Sequence, residues 1–452
     1  MKKTIEELQE KQALPLSLKV ALTKDRIRAW VKHWGIDGVY CSFSGGKDST
    51  VLLDICRKMY PEMKAVYIDT GLEFPQIREF VKTFDNVDIV KPKMNFKDVI
   101  KTYGYPFISK EVSECVYGAR KYLTDLMETE MLDRPTDRPT DRRGTIPTTT
   151  ISCVELENIL ETRDAINSDK LANILDKRMH TGFGGSNQRL AIMLGWLTKE
   201  SRIKAIIPSK DRSSFSQERY KFLLYAPFET SNRCCSVMKK SPVHEYGKAT
   251  NRKPLTGQMA SESKLRTQKW LQHGCNAFEG NYPISNPMAF WTEQDALLYI
   301  RQNNLPIASV YGDVLTEDEK AGQVTIGSLM GLEEKELFDL EQPTLCTTGC
   351  ERTGCIFCMY GAHLDKRPNR LETMLEVTNP NLYDYMMRGG SFDEDGLWKP
   401  DNRGLGFWFP ILWIESHSKL RYNAPRIEEY RKKYGTEETE RHLNGILDKS
   451  TQ

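Results

Sequence analysis

Residues 39–53 read Val39-Tyr40-Cys41-Ser42-Phe43-Ser44-Gly45-Gly46-Lys47-Asp48-Ser49-Thr50-Val51-Leu52-Leu53, and this stretch decides the fold. The apolar run from Val39 to Phe43 predicts a buried parallel strand. From Thr50 to Met59 the apolar positions Val51, Leu52, Ile55 and Met59 have helical spacing. Between them stands Ser44-Gly45-Gly46-Lys47-Asp48-Ser49. The two glycines let the backbone turn tightly and approach a ligand with no Cβ in the way. Backbone N–H groups of the turn and of the new helix point to one spot, and the helix dipole adds positive charge there. Lys47 brings a full charge beside it. The pattern is a phosphate cradle but not a Walker A loop, because GxxxxGK[ST] is absent. A plainer alternative is a glycine-rich helix start capped by Ser44 or Asp48. It accounts for the turn but not for Gly-Gly-Lys together.

Outward from that loop the chain alternates strand and helix. Lys64–Asp69 predicts a second strand, followed by Thr70-Gly71 and a helix from Pro75 to Phe84. Val87–Val90 predicts a third strand and Phe96–Tyr103 another helix. This order predicts an α/β fold with a doubly wound parallel sheet, whose ligands bind at the carboxyl ends of the strands. Both Ser44–Ser49 and Asp69-Thr70-Gly71 fall there. Asp69 is placed to hold a ribose hydroxyl or a magnesium ion, or simply to cap the turn that follows. Before the loop, residues 1–37 form a helical segment with Ile27, Trp30, Val31 and Trp34 at helical spacing, and the two tryptophans read as packing.

The chain has 452 residues, enough for roughly two to four domains. No apolar run is long enough to cross a membrane. The start, MKKTIEELQEKQALPLSL, carries acids and lacks an apolar core and cleavage site, so no secretory signal is read and a cytoplasmic location is expected. The 11 cysteines then suggest metal or redox chemistry rather than a disulfide framework. Net charge is +2, yet residues 201–270 hold fifteen Lys or Arg against five Asp or Glu. That block reads either as a footprint for an anion, nucleic acid included, with Arg212, Arg219, Lys239 and Lys240 as contacts, or as a solvated basic face.

SGGKDS, with its strand–loop–helix context, resembles the PP-loop of the adenine-nucleotide α-hydrolase superfamily, which holds the pyrophosphate of ATP. YIDTGLEFPQIREFV (67–81) resembles the second motif of the phosphoadenosine phosphosulfate (PAPS) reductase family. The likeness runs from about Gly38 to Tyr311. It implies a PP-loop domain over residues 38–320, interrupted at about 120–210 by a partly disordered helical insertion. That insertion contains DRPTDRPTDRR, GTIPTTT and a glycine turn at Gly182–Gly185. A Cys-rich region over 321–452 follows. The resemblance implies nucleotide contacts at Phe43, Ser44, Gly45, Gly46, Lys47, Asp48, Ser49, Asp69, Thr70, Gly71, Gly257 and Arg266. Catalytic roles fall to Lys47, Asp48 and Ser49, and Lys110 and Glu111 are candidates to face the site. In PLTGQMASESKLR (254–266) the family's usual arginine after the glycine is replaced by Gln258 and Met259, which tells against sulfonucleotide recognition. PMAFWTEQDALLYI (287–300) resembles the family's closing helix, with Thr292 as N-cap and Asp295 at N3.

CTTGCERTGCIFCMYGAH (346–363) has the spacing C-x3-C-x4-C-x2-C, a strong metal signal. One reading gives Cys346, Cys350, Cys355 and Cys358 to a zinc ion. The other follows from the resemblance: the pair Cys234-Cys235 with Cys355 and Cys358 is the iron–sulfur signature of adenylylsulfate reductases, a 4Fe-4S cluster. The cluster is the preferred reading. The expected activity is attack on the α-phosphate of magnesium ATP with pyrophosphate release, then sulfur transfer from a donor protein to an acceptor such as nucleic acid. No cysteine follows Cys358, so the nucleophile of assimilatory reductases is absent. Sulfonucleotide reduction and a non-catalytic, nucleotide-binding regulatory protein stand as alternatives.

Overall fold

The strand expected at the start of the decisive stretch is β1, Val39–Ser42. Val39, Tyr40 and Cys41 are wholly buried, as a strand covered on both faces requires. The structure is a computed structural model and describes residues 3–130, 172, 176, 186–204, 207–322, 344–365 and 369–434. The DRPT repeat, GTIPTTT and the Gly182–Gly185 turn lie outside the described residues, as do 323–343 and the tail beyond Tyr434. The chain forms two units, each built from two segments. The first is Met1–Asn95 with Ser236–Ile356, and the second is Phe96–Cys235 with Phe357–Gln452.

In the first unit, helices α1 (Ile5–Gln12) and α2 (Leu16–Trp34) precede β1. Ile27 and Trp30 of α2 are fully buried, so the tryptophan is packing as its spacing predicts. Helix α3 spans Lys47–Met59, three residues earlier than periodicity alone suggests. Lys47, Asp48 and Ser49 therefore form its first turn. Strand β2 (Ala65–Ile68), helix α4 (Pro75–Lys82) and strand β3 (Val87–Val90) follow. Proline opens α4, where its missing N–H costs nothing.

The sheet order is β3–β2–β1, then Lys253–Leu255, Ile284–Ser285 and Asn276–Ala277. All pairings are parallel except the last. Cys41 lies opposite Ala65 on one side and Leu255 on the other. The order thus reverses at β1, which makes the loop after β1 the switch point where such sheets bind ligands. This is a mixed α/β fold with a mainly parallel sheet.

The helix Glu293–Gln302 starts with the expected capping box, Thr292 accepting from the Asp295 N–H and Asp295 accepting from the Thr292 N–H at 2.7 Å. Asp295 also binds buried Lys19 of α2, with Nζ 2.7 Å from both carboxylate oxygens.

In the second unit the strand Phe107–Ile108 pairs in parallel with Met359–Tyr360. The helix Lys110–Glu130 packs on Ser186–Leu194. Its core is aromatic: Tyr105, Phe107, Phe228 and Phe407 are fully buried and meet edge-on or tilted, the geometry that ring quadrupoles favour.

Candidate functional site

The Ser44–Ser49 loop is shaped by its own side chains. Ser49 Oγ accepts from the Ser44 N–H at 3.1 Å, lies 3.0 Å from Ser44 Oγ and donates to the Gly46 carbonyl at 2.9 Å. Gly45 has φ +71°, and a Cβ there would sit 2.8 Å from Ile77 Cγ2 and 2.9 Å from Val81 Cγ2. Only glycine lets the turn lie this closely on α4. Gly257 is needed for a different reason. A Cβ on it would stand 3.0 Å from the Asp48 carbonyl oxygen, so the loop after Lys253–Leu255 touches the backbone of the first turn of α3. That turn carries no side-chain cap. Ser44 and Asp48 are thus not capping it, and the Lys47 backbone N–H is engaged by the Tyr311 hydroxyl.

Charge gathers around the loop. Lys47 is 6% exposed, with Nζ 2.9 Å from Glu293 Oε1 and 5.4 Å from the Tyr311 ring centroid. Burial pushes the Asp48 carboxyl up to about 6, opposed first by Lys47, reinforced by Glu293, and opposed again by Arg266 and Arg352. Arg266 contacts Glu262. Its guanidinium is held below its ordinary value by burial, opposed by Asp48 and helped by Arg352. Asp69, at the end of β2, accepts from Gly71 N–H at 3.2 Å and from Arg78 Nη2 at 2.9 Å. The next residue, Thr70, donates to Glu73 from both N–H and hydroxyl. Asp69-Thr70-Gly71 is thus a closed turn. Phe43 is buried against Phe84 with centroids 4.8 Å apart.

One participant was hidden in the sequence by its cysteines. Leu345–Thr347 pairs antiparallel with Val314–Thr316. The chain beyond it donates from Gly349 and Cys350 to the Tyr311 and Val310 carbonyls at 2.8 and 2.9 Å. Further on, the Ile356 N–H donates to Leu72 at 2.8 Å. Between these anchors Thr353 hydrogen-bonds the Tyr311 hydroxyl. A Cβ on Gly46 would be 3.4 Å from that hydroxyl and 3.9 Å from Thr353 Oγ1. Glu293, Tyr311, Arg352 and Thr353 therefore join the residues expected from sequence.

The expected metal ligands are divided: Cys346, Cys350 and Cys355 belong to the first unit, Cys234, Cys235 and Cys358 to the second. Among the described residues no group of three or more His, Cys, Asp or Glu is arranged to hold a metal ion. Among the described residues, then, neither the zinc set nor the iron–sulfur set is gathered as a site. Cys358 is pushed up by burial, opposed by the Tyr360 backbone and Arg370, with Cys235 adding to the rise. Cys41 is a core thiol that meets Cys56.

The basic block is likewise split between the units. Arg202 binds Asp176 at 2.6 Å, Arg212 binds Glu218, and Arg252 donates to the Val39 carbonyl at 3.1 Å. Lys110 and Glu111 open a helix of the second unit. Among the described residues no helix is long and apolar enough to cross a membrane.

The pattern described as "Phosphoadenosine phosphosulfate reductase domain" matches residues 38–123 and 188–360, more than half of the chain. The chain belongs to the PAPS reductase family. The match begins one residue before β1, includes the loop and the Asp69 turn, and ends at Tyr360, past the Cys350–Ile356 segment. Among curated proteins, an adenosine 5'-phosphosulfate reductase of Neisseria meningitidis serogroup B is 28% identical over 140 residues, 29% of this chain and 55% of that one. One from Bacillus velezensis is 28% identical over 92 residues, 19% of this chain and 39% of that one. An uncharacterized protein of Methanocaldococcus jannaschii is 40% identical over 70 residues, 14% of this chain and 17% of its own. The chain thus spans about half, or less, of the length of these relatives. Among solved structures, a PAPS reductase from Candida auris in a phosphate complex aligns at TM-score 0.29 and 13% identity, over 68% of this chain and 91% of that one.

Proposed function

We propose that this family member binds ATP by its phosphate tail on Ser44–Ser49 and transfers the adenylyl group to an acceptor. The acceptor's nucleophile bonds to the α-phosphorus while the bond to the bridging oxygen breaks and pyrophosphate leaves. Magnesium arrives on the ATP phosphates as part of the substrate. The observation that carries the reading is the cradle itself: a first turn of α3 without a side-chain cap, beside buried Lys47, which is paired with half-exposed Glu293 and lies 5.4 Å from the Tyr311 ring centroid. Phosphate oxygens would take the place of the Glu293 carboxylate, and Lys47 would then stabilise charge on the leaving pyrophosphate. Ser49 holds the loop in shape for it, and the Asp48 backbone packs against Gly257. Sulfur delivered by a donor protein would displace AMP from the adenylylated acceptor, which nucleic acid would be one class to fit.

The second reading is sulfonucleotide reduction, favoured by the adenosine 5'-phosphosulfate reductases among the relatives. One paired assay separates them. Pyrophosphate released from magnesium ATP, with Lys47→Ala silent, supports adenylyl transfer. Sulfite released from adenosine 5'-phosphosulfate with thioredoxin, and no pyrophosphate from ATP, overturns it in favour of the reductase.

A further inference from the structure

The segment Cys350–Ile356 reads in sequence as spacer between metal ligands, yet it is fastened beside the loop at three points. These are the Gly349 and Cys350 N–H groups on Tyr311 and Val310, the Thr353–Tyr311 hydroxyl contact, and the Ile356 N–H on Leu72. Arg352 lies between these anchors. It is exposed, and among the described residues it has no hydrogen-bonded or ion-paired carboxylate. The next residue, Thr353, lies 3.9 Å from where a Cβ on Gly46 would stand, and the Arg352 charge is felt by Asp48 of the loop and by Arg266 of the helix Lys264–His273, which also contacts Glu262. A guanidinium on a segment fastened beside an anion-binding loop suits an oxyanion held on that loop, because its planar N–H donors match the oxygens of a phosphate or sulfate.

We infer that Arg352, with Arg266, binds a phosphate or sulfate group of the nucleotide held on Ser44–Ser49, as a ligand-binding residue supplied by the Cys-rich segment. The inference deepens the proposed function and rests on the loop being an oxyanion cradle. Its ligand is the oxyanion, whichever nucleotide carries it.

Calorimetry on the full chain tests it with four probes: pyrophosphate, magnesium ATP, adenosine 5'-phosphosulfate and adenosine. Arg352→Ala is expected to weaken at least one of the three anions by about 10- to 100-fold, the usual range for one lost charge-assisted hydrogen bond. Adenosine affinity and the melting temperature are expected to stay unchanged, and Arg352→Lys to recover part of the loss. Whichever anion shows the largest loss names the group bound, terminal phosphate or sulfate. Arg28→Ala removes one exposed guanidinium from α2 and is expected to change nothing. Equal anion affinities in wild type and Arg352→Ala overturn the inference, as does an equal loss in Arg28→Ala. If pyrophosphate binds through Arg352 while no adenine nucleotide binds, the inference stands and the nucleotide reading fails. If wild type binds none of the three anions, both fail.

Discussion

Asp48 has a carboxyl that ionises in the unfolded chain near 3.8 but in the fold only near 6. The folded state therefore keeps a proton that the unfolded state has lost, and stability falls as pH rises between those two values. Asp48→Asn removes that penalty. Its expected gain, followed by urea melts, is nothing below about pH 4 and on the order of 1–3 kcal/mol above pH 6. A gain equal at both pH values would show that the carboxyl is not held up. Glu293 competes with any anion for Lys47, across 2.9 Å. Glu293→Gln is therefore expected to tighten pyrophosphate binding about threefold, and weaker binding would place Glu293 on the ligand's side. At Gly45 both the positive φ and the Ile77 and Val81 methyls oppose a Cβ. Gly45→Ala is expected to cost about 3 kcal/mol and to reduce pyrophosphate affinity in the protein that remains folded.

At the scale of elements, α2 and the helix Glu293–Gln302 are joined by Lys19 and Asp295, both buried. Asp295 also caps its own helix, so losing Lys19 leaves a buried carboxylate with only the capping donors. Lys19→Met is expected to cost about 3 kcal/mol in urea unfolding, and a cost below about 1 kcal/mol would mean that water replaces the lysine. The elements legible in the sequence are those with strong local signals. β1, β3 and Phe96–Tyr103 have clear periodicity, and Thr292 with Asp295 has the capping pattern. Apolar periodicity misses the first turn of α3, because Lys47, Asp48 and Ser49 are polar. The strands Asn276–Ala277 and Ile284–Ser285 have two residues each, too few for any pattern. Leu345–Thr347 and the segment after it were overshadowed by cysteine spacing. Their role beside the loop comes from pairing with Val314–Thr316, a contact no local signal encodes. Glu293 and Arg352 reach the loop by the same long-range folding.

At the scale of the whole molecule, each unit is assembled from two separated stretches. The sheet of the first unit takes three strands from residues before Asn95 and three from beyond Ser236. A fragment of residues 1–235 lacks the partner that covers one edge of β1 and is expected to show no cooperative thermal transition by circular dichroism. A sharp transition in that fragment would show that β1 to β3 stand alone. The open edge has a meaning during synthesis as well. While the ribosome is still translating the second unit, β1 waits with its backbone groups unpaired on the side later taken by Lys253–Leu255, a surface prone to stick to other nascent polypeptides. Chaperones would have to shield that half-finished sheet, and a premature stop before Arg352 would release a product lacking the last cation of the cradle.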